Sequence, residues 1–175
     1  KLGAKKNDEI GDLAGSFEIM SSKIKVLLKE QTDKVRLENE MNIAATVQKT
    51  LFPEKSILTD AVDIFSHYTP ASECGGDLWG YFTNESKMYF IIADATGHGL
   101  PSALITVAAK STMSLIKRML ERNIDISPSE ILAYANRSVF ETSQGKIMMT
   151  CFVGVIDFET GELTYANAGH NPPWV

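Results

Sequence analysis

Gly75-Gly76-Asp77-Leu78-Trp79-Gly80-Tyr81 and Asp94-Ala95-Thr96-Gly97-His98-Gly99 bracket the segment that decides the fold. Between them, Leu78–Phe82 and Met88–Ala93 are β-rich runs separated by the polar stretch Thr83-Asn84-Glu85-Ser86-Lys87. The pattern predicts a hairpin. With the turn centred on Glu85-Ser86, Asp77 falls directly opposite Asp94, with Cβ atoms roughly 4.5–5.5 Å apart. Two facing carboxylates repel, and one protonates unless a cation lies between them. Hard divalent cations held by carboxylates, carbonyls and water relieve that repulsion, and two of them roughly 3.5–4 Å apart form a site for phosphate hydrolysis. The competing reading has Asp77 capping a turn and Asp94 capping a strand end.

The flanking glycines fit either reading. Gly75 and Gly76 allow close backbone approach and positive φ. Ala95 to Pro101 is a glycine-rich loop entering a helix, whose N-terminus favours a nearby phosphate. Gly97, His98 and Gly99 are therefore candidate substrate contacts. His98 is open to two roles, a proton donor or substrate contact on one side and a structural hydrogen-bonder on the other.

Downstream, a helix is expected from Gly97–Gly99 to about Glu121, its uncharged first half Ala103–Ala109 buried on most sides. Ser127-Pro128-Ser129-Glu130 is a capping box with proline at the first helical position, opening a helix to about Thr142. Ile147–Phe158 reads as a long strand, Glu159-Thr160-Gly161 as a turn and Glu162–Ala168 as its partner. Upstream, Ala61–Tyr68 alternates as a strand. Strand, hairpin, two helices and hairpin make an α+β architecture: an antiparallel sheet with paired helices on one face.

From about Asp8 to Leu51 the chain predicts one nearly continuous helix, ended by Pro53. Ile10, Leu13, Phe17, Met20 and Ile24 form a heptad seam. The seam shifts phase near Leu27 and Leu28, as a stutter does. A lone helix has nothing to cover such a seam, so a parallel homodimer is expected; packing on the chain's own domain is the alternative.

The net charge of −5 offers no basic stripe for nucleic acid. Cys74 and Cys151 form no zinc or CxxC spacing, which points to reduced, buried thiols and a cytoplasmic location. The sequence contains no apolar run of membrane-spanning length. The chain opens on Lys1 rather than methionine; a piece of a longer protein is expected, with any membrane attachment through an upstream segment.

Four motifs in order resemble those of the SpoIIE/RsbU class of bacterial metal-dependent serine/threonine phosphatases of the PPM fold. They are Glu40-Met41-Asn42-Ile43-Ala44 with Gln48, Leu51 and Pro53; Gly75-Gly76-Asp77; Asp94-Ala95-Thr96-Gly97-His98-Gly99; and Ala168-Gly169-His170-Asn171-Pro172-Pro173. Asp8-Glu9-Ile10-Gly11 with Phe17 and Met20 is similar to the start of the second helix of a HAMP signalling module. The implied organisation is a HAMP helix over 1–25, a coiled-coil linker over 26–52 and the N-terminal part of a phosphatase domain over 53–175.

The resemblance implies a β-sandwich flanked by helices and hydrolysis of phosphoserine or phosphothreonine on a protein, an anti-anti-sigma (STAS-type) regulator. It implies two Mn²⁺ or Mg²⁺ ions with a metal-bound water as nucleophile. Asp77 and Asp94 would bind metal, joined by the Ala95 backbone carbonyl where many members have glycine. Gly80 stands where many relatives carry an acidic residue. The family's later aspartates, in a T-D-G motif and beyond, follow the A-G-H-N-P segment, so an incomplete and inactive domain is expected here. A non-catalytic dimerisation and partner-binding module is the competing function, and a metal-free structural domain the third.

Overall fold

A computed structural model of the chain describes residues 9–53, 56–58, 62–70 and 73–174. Asp8 of the HAMP-like segment, Ala61 of the expected first strand and Val175 lie outside them. The chain divides into two compact units, residues 1–42 and 43–175.

The described residues of the first unit, 9–42, are all helical. α1 spans Glu9–Lys49, with Glu9 and Asp12 in its first turn and Lys49 in its last, the charge order that suits a helix dipole. Ile10, Leu13, Phe17 and Met20 are all more than half exposed, and Ile24 is 49% exposed. The ion pairs Lys34–Glu38 and Arg36–Glu40 are of the exposed i,i+4 type and add a few tenths of a kcal/mol each, about 0.3–0.5.

The second unit is built on a four-stranded antiparallel sheet. The order is β3 (Asp77–Thr83), β4 (Lys87–Ala95), β5 (Met149–Asp157), β6 (Leu163–Ala168). A separate two-stranded ribbon pairs β1 (Ser56–Leu58) with β2 (Asp63–Phe65). The expected strand over 61–68 is thus shorter, and β1 was not anticipated: its three residues are too few to show alternation.

The β3–β4 turn is shaped by Asn84, whose Oδ1 accepts from the amides of Ser86 and Lys87. At the β5–β6 turn Asp157 does the same for Glu159 and Thr160, and Gly161 takes φ 70°. α2 (Leu100–Leu120) and α3 (Pro128–Ser143) connect β4 to β5. α3 opens with the expected capping box, Ser127 accepting from the Glu130 amide while the Glu130 carboxylate accepts from the Ser127 amide. α2 starts at Gly99 with φ 75°, a conformation that favours glycine.

The period-two alternation of strands gives the sheet two faces. Leu78, Tyr89, Ile91, Ala93, Cys151, Val153 and Val155 form the core with Ile105, Ala109, Ile116, Ile131 and Val139 of the helices. Asp77, Trp79, Phe90, Ile92, Asp94, Thr150 and Phe152 alternate onto the opposite face. There the rings of Phe90, Phe152 and Tyr165 follow one another across β4, β5 and β6.

Candidate active site

The β3–β4 register places Asp77 opposite Asp94, as the turn centre predicts. The register follows from the chain: Asn84 fixes the turn, and each later pair is set by it. Both side chains are exposed at the end of the sheet face away from the helices. The Asp77 carboxyl is held above the usual carboxylate range by partial burial first, then by the charge of Asp94 and a hydrogen bond shared with it. The charge of His170 pulls it back down.

Of the two glycines before Asp77, Gly76 is required by space, and Gly75 stands close against the end of the Tyr68 side chain. A Cβ on Gly76 would come within 2.5 Å of the Ala95 carbonyl oxygen, and one on Gly75 within 2.6 Å of the Tyr68 hydroxyl. Gly76 also accepts a hydrogen bond from the Ala95 amide at 3.0 Å. Glycine therefore lets the backbone close against Ala95 beside the two carboxylates.

Gln48, in the last turn of α1, is 5% exposed. Its Nε2 donates to the Gly75 carbonyl at 2.6 Å and to Thr106 Oγ1 of α2 at 3.1 Å, and its Oε1 accepts from the Gly75 amide at 3.1 Å. It thus ties the segment before Asp77 to the helix that follows Asp94.

A cleft of about 700 Å³ is lined by Asp77 and Asp94 together with Tyr68, Trp79 and His170. Gly97 and His98 are exposed in the loop before α2, and none of Gly97, His98 and Gly99 lines the cleft. Of the two histidines that line the cleft, His67 and His170, it is His170 whose charge acts on the Asp77 carboxyl. Its motif was visible in the sequence, yet a role for it depends on the pairing of β5 with β4 across two intervening helices, which no local pattern reveals. Gly80 faces α2: a Cβ there would lie 3.2 Å from Lys110 Nζ. Burial and the neighbouring Lys117 hold that ammonium below its usual range.

Two facing carboxylates suit a hard divalent cation, and the Ala95 carbonyl lies at the same level of the sheet. Among the described residues no group of three or more His, Cys, Asp or Glu side chains could hold a metal ion. The donor set accordingly fits a cation as a partial shell of two carboxylates.

The profile of the family described as Stage II sporulation protein E (SpoIIE) matches residues 84–175. The chain belongs to the SpoIIE family. It is 32% identical over 138 residues to phosphoserine phosphatase RsbU of Bacillus subtilis, covering 78% of this chain and 39% of that protein. It is 33% identical over 147 residues to phosphoserine phosphatase RsbP of the same organism, covering 81% and 35%. The chain thus spans less than half the length of the curated relatives it matches. The SiaA-PP2C domain of Pseudomonas aeruginosa superimposes with a TM-score of 0.60 at 18% identity, over 78% of this chain and 54% of that one. That likeness shows the fold: a SpoIIE-family, PP2C-like α+β domain whose sheet is incomplete in this chain.

Proposed function

We propose that the protein carrying this chain is a phosphoprotein phosphatase of a bacterial partner-switching pathway, acting on phosphoserine or phosphothreonine. The observation that carries the reading is the Asp77–Asp94 pair, two carboxylates set face to face by strand register in an open cleft. Such a pair is costly without a cation and useful with one. The named activity of the two relatives supports the reaction class. The substrate we infer is an anti-anti-sigma (STAS-type) regulator.

Asp77 and Asp94, with the Ala95 carbonyl, would hold Mn²⁺ or Mg²⁺, and two such ions are inferred for the intact domain. Bound there, the ions would neutralise charge on the phosphoryl oxygens and activate water as nucleophile. The chain's own part is to fix the two carboxylates, through hairpin register and the Gln48–Gly75 bonds, before any ion arrives. Gly97, His98 and Gly99 are inferred to act at the cleft's rim, on the substrate protein rather than on the ions. With only two carboxylates, this chain by itself is inferred to bind metal weakly and to turn over little.

Control is inferred to arrive through α1, as a HAMP-type helix over 1–25 and a coiled-coil linker over 26–52, in a parallel homodimer. The phosphatase side is placed in the cytoplasm on this reading. The exposed seam from Ile10 to Ile24 supports the dimer. The seam and the partial metal shell also favour a second reading, a non-catalytic dimerisation and partner-binding module. Hydrolysis of a phosphoserine peptide by the full-length protein with Mn²⁺ decides between them. Turnover that disappears in Asp94→Asn supports the enzyme. A full-length protein that takes up no Mn²⁺ and releases no phosphate would leave only the binding module.

A further inference from the structure

Of the histidines lining the cleft that holds the two aspartates, His170 is held at its ring by Thr150 and at its backbone by Asn167. Thr150 of β5 pairs with Asp94 across the sheet. Its hydroxyl donates to the Asp94 carbonyl oxygen at 3.4 Å and lies 2.9 Å from Nδ1 of His170. A hydroxyl has one proton to give. Donating it to the carbonyl, Thr150 can only accept from the ring. Nδ1 therefore carries a hydrogen, and Nε2 is the nitrogen at which a proton is gained or lost. The backbone of His170 is clamped as well: Asn167 Oδ1 accepts from its amide at 2.8 Å, and Asn167 Nδ2 donates to its carbonyl at 2.9 Å.

We propose that His170, held by Thr150 and Asn167, is the proton donor to the serine or threonine oxygen that leaves phosphorus. The proposal rests on the phosphoprotein phosphatase reading above. Two observations separate this role from the alternatives. His67 and His170 line the cleft with Asp77 and Asp94, whereas His98 does not; the ring of His67 lies against Thr69, while His170 meets Thr150, the cross-strand neighbour of Asp94, and acts on the Asp77 carboxyl. Among the described residues no three His, Cys, Asp or Glu side chains are grouped to hold an ion, so His170 stands beside the carboxylate pair without completing a shell.

The step balances without redox change. A water oxygen bonds to phosphorus as the bond from phosphorus to the side-chain oxygen breaks. The proton on Nε2 passes to that oxygen, releasing a neutral hydroxyl side chain. The water's spare proton goes to solvent, from which Nε2 is recharged. Thr150 and Asn167 are positioning residues.

The test uses the full-length protein with Mn²⁺ and two substrates, a phosphoserine peptide with a poor leaving group and p-nitrophenyl phosphate with a good one. Loss of a general acid typically costs on the order of 100-fold or more where the leaving group needs its proton. His170→Ala and His170→Gln should lower peptide turnover by about that factor and aryl phosphate turnover by less than about 10-fold. Calorimetric Mn²⁺ affinity should stay near wild type. Thr150→Val should lower peptide turnover partway, and Thr150→Ser should restore it. Long-range ¹⁵N–¹H spectra should show the Nδ1–H form of His170 in wild type and its loss in Thr150→Val. Equal losses on both substrates, lost Mn²⁺ binding, or an unchanged peptide rate would overturn the assignment while leaving the phosphatase reading intact. A wild-type protein that hydrolyses neither substrate would overturn both.

Discussion

Gln48 holds Gly75 by both of its backbone groups, donating to the carbonyl at 2.6 Å and accepting from the amide at 3.1 Å. The bond pair spans from the last turn of α1 to two residues before Asp77. Gln48→Ala would leave two buried backbone groups unpaired, at about 1–3 kcal/mol for an unsatisfied group. The expected result is a lower melting temperature and faster amide exchange at Gly75 and Gly76. Gln48→Glu, which accepts but cannot donate when ionised, should be no better than alanine. Unchanged exchange in both variants would mean the bonds do not hold this segment.

Repulsion between Asp77 and Asp94 makes the site costly when no cation is present. Asp77→Asn and Asp94→Asn should each raise the melting temperature in chelator at neutral pH, by a small amount because both side chains are exposed and solvent screens their repulsion. In full-length protein both should abolish Mn²⁺-dependent turnover. The sign follows from Asp77, whose carboxyl is raised by burial and by Asp94. Its ionisation weakens the fold as pH rises through the raised value, and asparagine removes that loss. Destabilisation by either substitution in chelator would contradict the facing geometry.

The seam of α1 predicts self-association. Light scattering on the chain at tens of micromolar should give a dimer mass. Leu13→Asp with Phe17→Asp should give a monomer with the fold of residues 43–175 unchanged, because charge buried in a seam is expensive. A monomeric parent chain would remove the dimer from the functional account.

Cys151 is 5% exposed, and burial pushes its thiol up from 9.0 to about 12. A group whose folded value is raised contributes stability that is complete below its unfolded value and is lost as pH climbs to the folded one. The chain should therefore lose stability between pH 9 and 12, and Cys151→Val should flatten that slope. Below pH 9 the thiol should resist aromatic disulfide reagents until the protein unfolds. Rapid labelling of Cys151 in native protein would contradict this.

Much of the molecule was legible from local chemistry. The turn centred on Glu85-Ser86 set the Asp77–Asp94 register, and the Ser127–Glu130 capping box set the start of α3. Gln48 was quoted only as part of a motif, because a side chain bonding to backbone 27 residues away leaves no periodic trace. His170 escaped assignment for the same reason: its partner Thr150 lies on a strand that pairs with β4 only after two helices intervene. Gly80 looked like a missing acid. In the structure it faces Lys110, whose ammonium stands where an added side chain would reach.

The hairpin from Asp77 to Asp94 turns through four residues, and no other element is needed to bring its two ends together. Its loop-closure cost is small, so it is the kind of contact that forms early as the chain folds. Like charges are then forced together before β5 and β6 deliver Thr150 and His170. A divalent ion present while the chain is still folding would thus speed the hairpin's closure, and the site would begin to select its ion on the folding pathway, ahead of the finished cleft.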